Sequence, residues 1–203
     1  MSQVVVYDAN VLYPSTLRDV LIRVGLARLV QPKWTERILD EVFRNLRTNR
    51  PDLEPSRLDR TRRLMNDAIR DVTVTGYEYL IDQLELPDPD DRHVLAAAIC
   101  TEAEVIVTRN LRDFPAHALG SWGIEVQHPD AFLAGLHEAH PDTLGGIVTA
   151  IARAWGGDAT AVDVLDRLAV DRAAVLVRDG PAHAHAGACH ILARDCVSQQ
   201  IQI

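Results

Sequence analysis

Several acidic side chains in the first 113 residues sit where they could do chemistry rather than merely solvate a surface. Asp8 follows at once on the β-branched run Gln3 to Tyr7. Asp88, Asp90 and Asp91 crowd the breaker Pro87-Asp88-Pro89-Asp90-Asp91, just ahead of the apolar run His93 to Cys100. Asp113 lies past a second buried run that ends at Thr108. In an open parallel sheet, ligands bind outside the carboxyl ends of the strands, so Asp8, Asp91 and Asp113 are expected to share one crevice. Glu41 belongs to a helical stretch. At about 100° per residue it flanks the face containing Ile38 and Val42, so its carboxylate can look toward the rim of the sheet. Gathered carboxylates repel one another unless cations sit between them. Hard divalent ions such as Mg²⁺ or Mn²⁺ favour all-oxygen sites, and paired metals are the usual apparatus for displacement at phosphorus. A metal lowers the pKa of an attacking water and stabilises the leaving oxyanion, so no nucleophilic Ser or Cys is needed.

The elements that must position these groups alternate. Gln3 to Tyr7, Asp71 to Thr75, Glu104 to Thr108 and Ile124 to Val126 read as strands. Helices are expected over Pro14 to Leu29, from Thr35 as N-cap through Leu46, over Ser56 to Ile69, over Tyr77 to Leu84, from Arg92 to Cys100 and over Pro129 to Glu138. Strands alternating with helices imply a parallel sheet in an α/β layer fold. Beyond His140 the strands stop. Asp142 to Ala154 and Thr160 to Arg178 read as helices separated by Gly156-Gly157. The expected organisation is therefore an α/β domain over residues 1–138, a small helical domain over 139–180 and a flexible tail over 181–203.

Composition narrows the class. At 47% hydrophobic and 25% charged residues the chain is an ordinary globular protein, not a disordered or fibrous one. Its longest apolar stretches fall far short of the ~20 residues a membrane span needs. Met1-Ser2-Gln3 carries no basic cluster ahead of Val4-Val5-Val6, so no secretory leader is expected and the chain reads as cytoplasmic. Cys100, Cys189 and Cys196 are odd in number and form no C-x-x-C, which argues against a disulfide framework or a zinc ribbon. The net charge of −8 is unevenly spread: residues 1–72 carry 13 basic and 10 acidic side chains, residues 73–145 carry 3 and 13. Such a chain can meet a polyanion at one place and divalent cations at another.

Four stretches, in order, carry a resemblance. Val4-Val5-Val6-Tyr7-Asp8-Ala9-Asn10, then Glu41, then Asp88-Pro89-Asp90-Asp91-Arg92-His93-Val94-Leu95-Ala96-Ala97-Ala98, then Val107-Thr108-Arg109-Asn110-Leu111-Arg112-Asp113-Phe114 resemble the ordered motifs of the PIN-domain nucleases. The similarity is greatest to the VapC-type toxins of type II toxin–antitoxin modules, over about residues 3–130. It implies a three-layer α/β/α, RNase H-like core with a central parallel sheet, and the small C-terminal helical appendage lies outside it. It also implies a Mg²⁺- or Mn²⁺-dependent endoribonuclease that leaves a 5′-phosphate and a 3′-hydroxyl. Carried over residue by residue, Asp8, Glu41, Asp91 and Asp113 become the catalytic acidic metal ligands. Asp88 becomes an auxiliary carboxylate, while Asn10, Thr108 and Asn110 support the metal or the scissile phosphate. Of Asp88, Asp90 and Asp91, the offset to Ala96-Ala97 selects Asp91, and one of the three is expected to cap and ligate at once. The implied partners are an RNA substrate, a small antitoxin whose C-terminal segment blocks the acidic crevice, and a second copy of the chain in a homodimer.

Other readings compete. Asp is a good turn former and N-cap, so Asp88, Asp90 and Asp91 could be structural. The Arg residues between Arg44 and Arg63 are most simply a charged helix surface. His93 reads as a helix residue at the sheet rim rather than a catalytic base. His183, His185, Cys189 and His190 match no zinc template. Two alternative functions stand beside the nuclease: a non-catalytic PIN-like binding subunit, and a haloacid-dehalogenase-type phosphatase. The latter also places Asp after the first strand but needs a second Asp where this chain has Asn10, and an essential Lys where only Lys33 is offered.

Overall fold

The computed structural model describes residues 2–179, with side chains to residue 171. The chain begins with β1 (Gln3–Tyr7), α1 (Ala9–Leu12), α2 (Ser15–Leu26), β2 (Val30–Thr35), α3 (Glu36–Asn49) and α4 (Pro55–Ala68). It continues with β3 (Thr73–Val74), α5 (Glu78–Ile81), α6 (Arg92–Cys100), β4 (Val105–Val107), α7 (Ala116–Leu119), β5 (Glu125–Gln127), α8 (Pro129–Ala139), α9 (Pro141–Trp155) and α10 (Ala161–Asp179). Two 3₁₀ turns, Pro89–Asp91 and Leu111–Asp113, carry acidic residues just ahead of α6 and just after β4. The reading of the His- and Cys-bearing segment from residue 181 lies outside the described residues.

All five strands are parallel, in the order β3-β2-β1-β4-β5. Helices flank the sheet in a three-layer α/β/α arrangement. Val5, Val6 and Tyr7 of β1 and all of β4 are buried, as strands covered on both faces must be. The chain leaves β1 toward β2 and β3, then returns to β4 on the other side of β1. The order therefore reverses between β1 and β4, and in such sheets that switch point opens a crevice at the strands' carboxyl ends. Asp8 is the first residue after β1, Thr108 the first after β4, and the Asp8 N–H donates to the Val107 carbonyl at 3.2 Å.

The sequence reading differs from the structure mainly between residues 27 and 35. The expected helix to Leu29 ends at Leu26, and Val30–Thr35 is a strand, not the opening of a helix. Its burial alternates at Val30, Pro32 and Trp34, but Pro32 and Lys33 hide that signal. Pro32 is tolerated because it faces only β1, at Val5; β3 pairs with Trp34 and Thr35 alone. Thr35 does cap the next helix, its side-chain oxygen accepting from the Ile38 N–H at 3.0 Å in a fully buried position.

By its contacts the chain divides into two compact units. One comprises Met1–Tyr13 and Gly25–Pro129; the other comprises Pro14–Val24 and the chain from Asp130. In the second, α9 packs on α10, and Leu144, Ile147, Val148, Ile151, Val164 and Leu165 are buried. The second unit joins most of α2 to the chain from Asp130.

The cap on α3 yields a test, because α3 carries Glu41. Thr35→Ala should destabilise the protein by about 1–2 kcal/mol in urea unfolding, and Thr35→Ser should restore most of the loss.

Candidate active site

Asp8 is 4% exposed and sits where β1 becomes α1. Its Oδ1 accepts from the Ala9 N–H at 2.5 Å. Its Oδ2 accepts from Asn10 Nδ2 at 2.6 Å and from the Thr108 hydroxyl at 2.7 Å. The Thr108 oxygen in turn accepts from Asn10 Nδ2 at 2.8 Å and from the Asn110 N–H at 3.0 Å. Asn10 Oδ1 accepts from the Arg109 N–H at 3.0 Å. A hydroxyl offers one donor and two acceptor positions, and all three are used. The ends of β1 and β4 are thereby tied together through side chains, and the Asp8 carboxylate is fixed.

The same strand end positions Asp113. Asn110 Nδ2 donates to Asp113 Oδ2, while the 3₁₀ turn Leu111–Asp113 folds the chain back. On the facing segment, Asp88 Oδ1 accepts from the Asp90 N–H at 2.9 Å and so caps the turn that leads into α6. Asp91 occupies the N-cap position of α6 but makes no capping bond. Carboxylate oxygens of Asp88, Asp91 and Asp113 lie within 4.8 Å of one another. Asp91 Oδ2 is buried without a hydrogen-bond partner. From α3, Glu41 Oε1 stands 3.0 Å from Nε2 of His93 and 3.8 Å from the exposed Arg37 guanidinium.

Electrostatics separate buried Asp8 from half-buried Asp91. Burial raises the Asp8 pKa, but hydrogen bonds from Thr108 and Ala9 pull it back. Asp91 has no such donors. Burial pushes it up, the negative charges of Asp8, Asp88, Asp113 and Glu41 push it further, and it reaches about 7. A buried, unpartnered oxygen amid acidic neighbours is costly unless a proton or a cation compensates it. The donor set is all-oxygen and anionic, which fits a hard divalent cation. Among the described residues, oxygens of Asp88, Asp91 and Asp113 lie close enough together to share one.

A family model described as the PIN domain matches residues 4–112, more than half of the chain. The chain belongs to the PIN-domain family. Among curated proteins, a Mycobacterium tuberculosis (strain ATCC 25618 / H37Rv) protein named "Putative ribonuclease VapC50" is 42% identical over 65 residues. That stretch covers 32% of this chain and 38% of the relative's length. No solved structure matches significantly. PIN membership also removes the dehalogenase alternative. Asn10 is consumed by hydrogen bonds to Asp8, Thr108 and the Arg109 backbone, and the Lys33 ammonium donates to the Asp71 carbonyl.

In this PIN unit, Asp8, Asn10, Thr108, Asn110 and Asp113 form one hydrogen-bonded chain, and Asp88 and Asp91 join Asp113. Glu41 reaches the group electrostatically through Asp8 and Asp91. Of the three competing aspartates, Asp90 is exposed and contributes its backbone, and Asp88 both caps and faces the cluster. The sequence reading missed the part played by His93, which is 1% exposed and in contact with Glu41. Its only signal was its place two residues after Asp91, in a run otherwise wholly apolar.

Two outcomes are expected. The folded Asp91 pKa lies above its unfolded value of 3.8, so the folded state binds the extra proton and Asp91 destabilises the metal-free protein increasingly as pH rises. The stability advantage of Asp91→Asn over wild type, measured in EDTA, should grow from about pH 4 to about pH 7 and level off above it. Thr108→Val strips a hydroxyl that serves three partners and should cost about 2–4 kcal/mol in chemical unfolding, with Thr108→Ser largely neutral.

Proposed function

We propose that the protein is a divalent-metal-dependent endoribonuclease that acts as the toxin of a toxin–antitoxin pair. The observation that carries the reading is the convergence of Asp88, Asp91 and Asp113 within 4.8 Å, with the charges of Asp8 and Glu41 also acting on Asp91. A PIN-like subunit without turnover would have no need of so costly a cluster, which favours the enzyme over the binding-module alternative. The name of the mycobacterial relative supports ribonuclease activity and the toxin role. A small antitoxin and a second copy of the chain are proposed as protein partners. Among the described residues no helix is long and apolar enough to cross a membrane, which accords with the proposed cytoplasmic location.

In this reading Asp8, Glu41, Asp91 and Asp113 would hold Mg²⁺ or Mn²⁺, with Asp88, whose oxygen lies within 4.8 Å of those of Asp91 and Asp113, as an auxiliary carboxylate. When bound, such an ion would acidify an attacking water and offset the negative charge that an in-line displacement at phosphorus develops. The chain's own residues do the rest. Thr108, Asn10 and the Ala9 N–H hold the Asp8 carboxyl group stationary, and the bonds from Thr108 and Ala9 oppose the burial that raises its pKa. Asn110 holds Asp113 at the end of its turn. Asp91, capping nothing, is free to exchange its proton for the cation. The excess negative charge makes the cleft repulsive to a phosphate until it is neutralised, which couples substrate binding to metal binding.

The test is cleavage of RNA by purified protein with Mg²⁺ or Mn²⁺. Asp8→Asn should reduce the rate by about 10²–10³-fold, the scale of the charge stabilisation a metal supplies, with the fold retained by circular dichroism. EDTA should do the same to the wild type. Wild-type rates in Asp8→Asn, or indifference to EDTA, would refute the assignment.

A further inference from the structure

His93 is the second residue of α6 and the only strongly polar side chain in its buried stretch, which runs on through Val94, Leu95, Ala96, Ala97 and Ala98. It is 1% exposed, and nothing in the proposed reaction uses it. Its Nε2 lies 3.0 Å from Glu41 Oε1, whereas its Nδ1 is buried with no hydrogen-bond partner. A carboxylate can only accept, so Nε2 carries the hydrogen that faces Glu41. The ring is therefore committed to one acceptor. A buried imidazole that satisfied only packing needs would cost the fold a desolvated nitrogen without return, and a leucine would fill the space better.

The placement of the contact gives the return. Glu41 projects from α3 and Asp91 stands at the start of α6, so two carboxylates of the proposed site come from different helices. A Glu has three rotatable side-chain bonds, and Glu41 is a quarter exposed, with only the solvated Arg37 as its other cationic neighbour. An exposed ion pair of this kind fixes little. His93 is rigid, enclosed, and anchored two residues from Asp91 on a helix packed against β1, β2 and β4.

We infer that His93 is a positioning residue. It spans α3 and α6 and holds the Glu41 carboxylate in register with Asp91, so that a divalent cation meets a preassembled oxygen set. This rests on the metal-site reading above and extends it beyond the acidic residues. Partners that orient metal-ligating side chains typically affect affinity by about 10–100-fold when removed.

The experiment is a titration of Mn²⁺ alone, by calorimetry or by electron paramagnetic resonance of the free ion, on the 203-residue chain. His93→Leu, which keeps the volume and loses the donor, should weaken Mn²⁺ binding by about 10–100-fold with an unchanged circular dichroism spectrum. His93→Gln, whose amide nitrogen can take the place of Nε2, should bind within about threefold of wild type. In the Glu41→Gln background, His93→Leu should add no further loss, because the two residues act as a unit. If His93→Leu does not fold, His93→Asn, whose amide stops short of Glu41, replaces it with the same expected loss. Wild-type affinity in the folded His93→Leu or His93→Asn protein overturns the inference while leaving the metal site standing. So does an undiminished loss in the Glu41→Gln background, or a failure of His93→Gln to rescue. A wild-type protein that takes up no Mn²⁺ overturns both.

Discussion

Repulsion among carboxylates at the mouth of the sheet is the constraint around which the rest is arranged. Left alone, such a group would separate or protonate. Here two of its members are tied by hydrogen bonds and a third is not. Asp8 is steadied by donors from its own helix start and from the end of the neighbouring strand. Asp113 is tied by Asn110. Asp91 receives no donor and carries the unresolved strain of the cluster as a pKa raised to about 7. A cation relieves that strain at one stroke, which is why the acidic set reads as a binding site rather than as a solvated edge.

The sheet order supplies the meeting place. Because the chain turns one way from β1 and the other way into β4, the two strand ends stand side by side with nothing crossing between them. Asp8 and Thr108, a hundred residues apart, become hydrogen-bonded neighbours for that reason. The third contribution arrives on α6, which packs across three strands and so holds Asp91 and His93 at fixed depth. Local chemistry and topology agree: polar residues cluster at the switch point of the sheet.

Much of this was legible from residues alone, and the reasons are physical. β1, β4 and α6 are short uniform apolar runs with abrupt polar ends, so their limits and the aspartates beyond them could be read directly. β2 could not, because Pro32 and Lys33 interrupt an alternation that only the one-sided pairing at Pro32 permits. α1 is four residues long, too short to have a period. Within the site, positions just past two strands led to the expectation that Asp8 and Asp113 share one crevice. It could not divide the work among Asp88, Asp90 and Asp91, because three aspartates in four positions look alike until the turn shows which one caps. His93 was hidden by its company, since a single His in an apolar helix has the appearance of core.

The central claim is that the acidic set is a divalent-cation site in which Asp91 gives up its proton to the metal. Calorimetric titration of Mn²⁺ into the protein near pH 6, repeated in buffers of different ionisation enthalpy, measures the protons released on binding. The account predicts release of about one proton per ion at that pH, falling toward none by about pH 8.5, where Asp91 is already ionised. Binding with no proton release at pH 6, or no binding at either pH, would contradict it.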